Sequence, residues 1–199
     1  MTPKRDRIIT AAIALFAEKG FRNTSTAEIA SQAGVAQGTL FYHFKNKEGI
    51  LTEVLRELLD ATRQGYDRID SRRLSGYTCV ERLLRSEQTL VEREQLRVRV
   101  LIRDMTDEVL VPGTCGHGLI RDFLGYKISL LIRFLQQGMA DGSVRPLDAE
   151  KTAWFIDAAF YGILRIRLLK DLPIPPLAEH AIDLCLSALR PPCAPPPAS

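Results

Sequence analysis

The sequence predicts an all-α protein of about nine helices, with three short helices at the N-terminus and a longer helical body after them. Three observations predict it. Apolar residues recur at three- and four-residue spacing through most of the chain, as one face of a helix requires. Helix starts and stops punctuate that pattern, with Ser25, Asn46 and Asp148 at starts and Gly20, Gly34 and Gly142 at stops. The one alternating stretch, LRVRVLI at 96–102, sits in a helical neighbourhood, which decides against a lone strand.

In chain order, Thr2-Pro3 reads as an N-cap followed by proline at the first helical position. Ile9, Ala12, Ile13 and Phe16 then carry a helix to Lys19. Ser25 and Glu28 form a capping box for a second helix with Ile29, Ala30 and Ala33 on its apolar side. Gly34 suits a left-handed turn, Val35 plugs the corner, and a third helix runs from Gln37 to Phe44. Asn46 caps a fourth helix with Ile50, Val54, Leu55, Leu58 and Leu59 on one face. Residues 80–111 read as helical, PGTCGHG at 112–118 as a loop, and Leu119–Met139 as a long helix. Asp148 starts a helix to about Leu169. The run Pro173-Ile174-Pro175-Pro176 breaks it, and Leu177–Leu189 closes the helical part. The proline-rich end, 191–199, is expected to be disordered.

Composition narrows the function. Of 199 residues 46% are hydrophobic and 26% charged, enough for a real core, and the net charge is +3. Residues 1–47 hold seven Lys/Arg against three acids, so the head is basic and the rest nearly neutral, which points to a polyanionic partner for the head. No apolar run is long enough for a membrane helix, and no signal peptide is read, so the expected location is the cytoplasm. Cys79, Cys115, Cys185 and Cys193 are far apart, which suits reduced thiols and neither zinc nor disulfides. The three histidines have no partners at metal or catalytic spacing, and the loop at 112–118 lacks the lysine and hydroxyl of a phosphate-binding loop. No metal, no cofactor and no catalysis are expected.

Two short helices joined by a glycine turn form the helix-turn-helix pattern. In that pattern the start of the second helix faces base edges. Gln37 can pair with adenine, and Thr39 can hydrogen-bond or place its methyl on thymine. Gly38 admits a close approach, and Tyr42 and His43 can donate to phosphates. Leu40 and Phe44 face inward, and Lys47 adds a cation for the phosphate backbone. The stretch ITAAIALFAEKGFRNTSTAEIASQAGVAQGTLFYHFKNKEGIL resembles the DNA-binding head of the TetR family of bacterial transcriptional regulators. Its markers are A-x-x-L-F-x-x-x-G-F at Ala12–Phe21, E-I-A at Glu28–Ala30, A-G-V at Ala33–Val35 and G-T-L-F-Y-H-F at Gly38–Phe44. The resemblance implies DNA contacts at Ser25, Thr26, Ala36, Gln37, Gly38, Thr39, Phe41, Tyr42, His43 and Lys47. Where the family usually has Ser or Thr this chain has Ala36, which removes a helix cap worth about 1 kcal/mol.

The resemblance further implies a homodimer on a near-palindromic operator in double-stranded DNA, with a small-molecule effector releasing it. Two recognition helices about 34–36 Å apart would read two half-sites. The domains expected are 1–50 for DNA (helix-turn-helix about 25–44) and 51–190 for effector and dimer. The last two helices are apolar over more than one stripe, so the interface is expected at Ala158, Ala159, Gly162, Arg165, Ile166, Ile182, Cys185 and Leu189. Residues expected to line an effector pocket are Leu96, Arg99, Val100, Arg103, Phe123, Tyr126, Leu130, Phe134, Phe155 and Tyr161. The effector is expected to be small and apolar or amphipathic. An anionic group on it would meet Arg99, Arg103 or Arg165; the plainer reading pairs these with acids, Asp157 with Arg165 among them. Repression is the expected sign of regulation. An activator of the same fold and an assembly module that does not bind DNA are the alternatives.

Overall fold

A computed structural model describes residues 3–104, 111–114, 116–166 and 175–192. Among these residues there are nine α-helices and no strand. They are α1 (Pro3–Lys19), α2 (Thr26–Gln32), α3 (Gln37–Phe44), α4 (Lys47–Asp67), α5 (Gly76–Arg93), α6 (Gln95–Asp104), α7 (His117–Ala140), α8 (Ala149–Ile166) and α9 (Leu177–Leu189). LRVRVLI is helical, as its surroundings required. The helix α7 begins two residues earlier than the sequence suggested, so its first turn takes the end of the expected loop. Thr2, Cys115, residues 167–174 and the tail from 193 lie outside the described residues.

The packing divides into two units, and not at residue 50. The first runs to Arg63 and includes Leu90–Phe123; the second is Gln64–Thr89 with Leu124–Ser199. The start of α4 and all of α6 pack with the three-helix head. An apolar side of α4 cannot be left in water, and Ile50, Leu51, Val54 and Leu55 are fully buried among Ile8, Phe16, Ile29 and Leu40. Val100 of α6 joins the same core, and α6 packs along α1.

Polar contacts fix the elements of this unit. Ser25 accepts the Glu28 N–H at 3.2 Å while the Glu28 carboxylate accepts the Ser25 N–H at 2.8 Å, the reciprocal cap expected for α2. Gly34 has φ +62°, a conformation side chains rarely adopt. Asn46 accepts the Gly49 N–H at 2.8 Å and starts α4. Arg103 donates from Nη1 to the carbonyls of Glu18 (2.6 Å) and Ala17 (3.3 Å), closing the open carbonyl end of α1 with a cation. Arg5 of α1 pairs with Glu53 and Glu57 of α4, and Arg97 of α6 pairs with Glu57 at 3.1 Å.

In the second unit, α5 starts against the end of α7. A Cβ on Gly76 would lie 2.0 Å from the Gly138 nitrogen, so only glycine permits that approach. The Gly76 N–H donates to Asp141 at 2.8 Å, and Gln137 donates to the carbonyls of Ser71 (2.9 Å) and Leu74 (2.8 Å). Asp148 accepts the Lys151 N–H at 3.0 Å and starts α8, as expected. The helices α8 and α9 pack on each other, and Arg145 ties the end of α9 through the Ala188 and Leu189 carbonyls. Cys79 and Cys185 are free, and burial pushes both thiols up, away from reactive thiolates.

Candidate nucleic-acid interface

The helix-turn-helix is α2–turn–α3. Leu40 and Phe44 point into the core, which turns Gln37, Gly38, Phe41 and Tyr42 outward. Tyr42 is 85% exposed and Phe41 42%, unusual for aromatics on a helix that has a core to join. The His43 ring is half-buried and meets Tyr42 edge-on at 5.2 Å; Thr39 is also half-buried. Ala36 is extended at the N-cap and makes no side-chain hydrogen bond, as the missing hydroxyl implied. The first amides of α3 therefore have no side-chain acceptor from the N-cap, an arrangement that suits an anion. Gly38 has open space where a Cβ would stand.

The neighbouring side chains are more committed. Ser25 uses its hydroxyl on the α2 cap. Thr26, at the first turn of α2, accepts from Gln37 Nε2 at 3.2 Å. Lys19 reaches Glu28 at 2.6 Å, and with the Ser25 amide and hydroxyl it lowers the Glu28 carboxyl to about 2. Lys47, expected over phosphates, turns back into the protein. Its ammonium donates to the carbonyls of Phe21 and Thr24, both at 2.8 Å, and lies 4.3 Å from the Phe21 ring centre. It holds the turn between α1 and α2. Lys45, which sequence reasoning passed over, ends α3 exposed and at φ +63°. The signal for it was its place in Lys45-Asn46-Lys47, directly after the aromatic run.

The expected pocket residues divide between the units. Leu96, Arg99, Val100, Arg103 and Phe123 belong to the first, and Tyr126, Leu130, Phe134, Phe155 and Tyr161 to the second. Leu96 is half exposed, Val100 is packed in the core with α1, and Arg103 is taken by α1 carbonyls. Phe155 is 70% exposed on α8. Leu130 and Phe134 are buried, while Tyr126 donates to Asp67 at 2.8 Å. Tyr161 is half-buried, and Arg99 is exposed.

The expected interface also divides. Ile182 and Leu189 are buried within the single chain. Ala158, Arg165 and Ile166 are exposed, and Ala159, Gly162 and Cys185 half so. Phe155 falls on the same stripe of α8, and Leu184, 58% exposed on α9, was missed because a helix that is apolar on most sides hides which side is outward.

Asp157 does not pair with Arg165. It meets Lys127 at 2.8 Å, and Lys127 also meets Glu87 at 2.5 Å, with the Tyr66 hydroxyl donating to Glu87. Lys127 is only 8% exposed. Burial pulls its ammonium down, but the two carboxylates outweigh that and hold it above its usual value. A lone lysine between Tyr126 and Ile128 in an apolar helix was the available sign.

Among the described residues no group of His, Cys, Asp and Glu is placed to hold a metal, and no helix is long and apolar enough to cross a membrane. A model described as "Bacterial regulatory proteins, tetR family" matches residues 8–54, which span α2, α3 and most of the core around them. The chain is 30% identical over 173 residues to the probable acrEF/envCD operon repressor of Escherichia coli (strain K12), covering 81% of this chain and 74% of that one. It is 27% identical over 198 residues to the transcriptional repressor KstR2 of Rhodococcus jostii (strain RHA1), covering 95% and 92%. The solved structure of the ketosteroid transcriptional regulator KstR2 of Mycobacterium tuberculosis superposes with a TM-score of 0.77 at 24% identity, over 94% of this chain and 95% of that one. With an outward-facing α3 on a matching head and repressor relatives along most of its length, the chain belongs to the TetR family, whose members regulate transcription and are not enzymes.

Proposed function

We propose that this protein is a cytoplasmic repressor that binds a near-palindromic operator as a homodimer and lets go when a small, largely apolar effector enters its body. The observation that carries the reading is the outward face of α3: Gln37, Gly38, Phe41 and Tyr42 stand in solvent although the helix has a core beside it. Leaving two aromatics in water is unfavourable in the free protein and fits a surface that is covered in use. Gln37, Gly38 and Thr39 read bases, while Tyr42, His43 and the α3 amides hold phosphates. Lys45 joins them as an exposed cation, and Lys47 supports the head from within.

The stripe of Phe155, Ala158, Ala159, Gly162 and Ile166 on α8 with Leu184 of α9 supports the dimer. Such a continuous apolar stripe is costly in a monomer and pairs with itself across a twofold axis. The effector has no assigned residues. The buried apolar side chains of α7, Leu130 and Phe134 among them, favour an apolar one, and the engagement of Arg103 by α1 removes one of the cations proposed for an anionic group.

Selection of bound duplexes from random DNA tests the reading: a palindromic motif is the expected result, and no enrichment rejects it. Small molecules are then screened for release of the selected operator. Phe155→Glu with Leu184→Glu should give a monomer by light scattering that loses operator affinity; a dimer that survives both changes rejects the interface.

A further inference from the structure

We propose that Thr26 is a positioning residue for Gln37, and that the pair specifies adenine at one base pair of each half-site. The proposal rests on the DNA-binding reading and deepens it. Gln37 is the first residue of α3 and Thr26 the first of α2, and the turn brings them together across eleven residues of sequence. Gln37 Nε2 donates to Thr26 Oγ1 at 3.2 Å. An exposed glutamine otherwise samples many rotamers, so a partner on its terminal amide sets where that amide points.

The partner also sets what the amide offers. A carboxamide has two N–H donors and one carbonyl acceptor. With one N–H given to Thr26, a donor and an acceptor remain side by side. That pair matches adenine, which shows an acceptor at N7 and a donor at N6 in the major groove. Guanine shows two acceptors there, and matching it would need both N–H groups free. Thr26 thus converts an ambidextrous side chain into one with a preferred base. Gly38, the next residue, has no Cβ to crowd the amide, and the Ala36 side chain before it has no polar atom to compete for it.

The test uses the full-length protein and the operator obtained by selection, so that failure to select any motif is separate from failure of this proposal. Every base pair of one half-site is replaced in turn, and affinity is measured at fixed salt for wild type, Thr26→Val, Thr26→Ser, Gln37→Ala and Thr26→Val with Gln37→Ala. Wild type should prefer adenine at one position by about fivefold to a hundredfold. Thr26→Val, which keeps the shape and loses the acceptor, should flatten that preference to a few-fold and leave the others intact. Thr26→Ser should restore it, and the double variant should match Gln37→Ala alone. A guanine preference at the position that Gln37→Ala flattens overturns the proposal. So does a uniform loss across all sequences in Thr26→Val, which is what a plain phosphate contact would give. Loss of base preference in Thr26→Ser equal to that in Thr26→Val also overturns it. Thermal melting of both Thr26 variants within a few degrees of wild type shows that the comparison concerns folded protein.

Discussion

Gly38→Ala should move stability and operator affinity in opposite directions. Gly38 is the second residue of α3, its backbone is helical, and a Cβ built on it meets nothing within 4 Å. The fold therefore has no steric use for glycine here. Alanine restricts the unfolded chain and favours the helix, which should stabilise by about 0.5 kcal/mol at a first-turn position. For a chain of this size that raises the melting temperature by about 1–2 °C. If the α3 backbone lies against DNA, the same methyl stands between the helix and a base edge. Displacing the helix enough to break one bidentate base contact should cost at least about 1.4 kcal/mol, a tenfold loss of affinity. Thermal melting and fluorescence anisotropy on the selected operator, at one salt concentration, read both signs. Gly49→Ala is the contrasting control. Its Cβ would fall 2.2 Å from the Phe44 carbonyl oxygen, so it should lose stability outright. Gly38→Ala that is more stable and binds as well as wild type would refute the placement of Gly38 at the DNA surface.

Three further outcomes are expected. Lys47→Met removes a charged donor from the Phe21 and Thr24 carbonyls and should destabilise by about 1–2 kcal/mol in denaturant melts, while the salt slope of operator binding stays close to wild type because the ammonium faces the protein. A slope reduced by about one would restore it as a phosphate contact. Lys127→Met leaves Glu87 and Asp157 buried without their cation and should cost about 3 kcal/mol, whereas adding Glu87→Leu and Asp157→Leu should recover much of it; equal stability of the single variant and wild type would show the triad to be water-screened. Glu28 has its carboxyl lowered from 4.5 to about 2, so the stabilisation it gives α2 is complete above pH 4.5 and disappears as pH falls towards about 2. The gap in melting temperature between wild type and Glu28→Gln should therefore close over that interval, and a gap that stays constant would mean the cap does not depend on the charge.

Much of the fold was legible because local signals agreed with the packing. The Ser25–Glu28 box, the Gly34 turn, the Asn46 and Asp148 caps and the bounds of α3 and α9 are each set by a few adjacent residues. The outward face of α3 was legible too, since burying Leu40 and Phe44 fixes where Gln37 and Tyr42 point. What stayed hidden depends on partners distant in sequence. Nothing near Lys47 says that its ammonium turns back to carbonyls of residues 21 and 24. Nothing near Arg103 says that it serves the end of α1, 85 residues away from Glu18. Asp157 was matched to Arg165 because both lie on α8, while its true partner, Lys127, lies on α7. The same limit applies to Phe155 and Ile182, since periodicity gives an apolar face and not which neighbour covers it.

The closure of α1 by Arg103 bears on how the molecule can be dissected. A DNA-reading fragment trimmed at the edge of the family match would keep every base-facing side chain. It would lack the guanidinium over the Ala17 and Glu18 carbonyls and the Val100 methyls among the core residues of α1. Autonomy for the reading part thus demands a segment that arrives only after the chain has left it and come back.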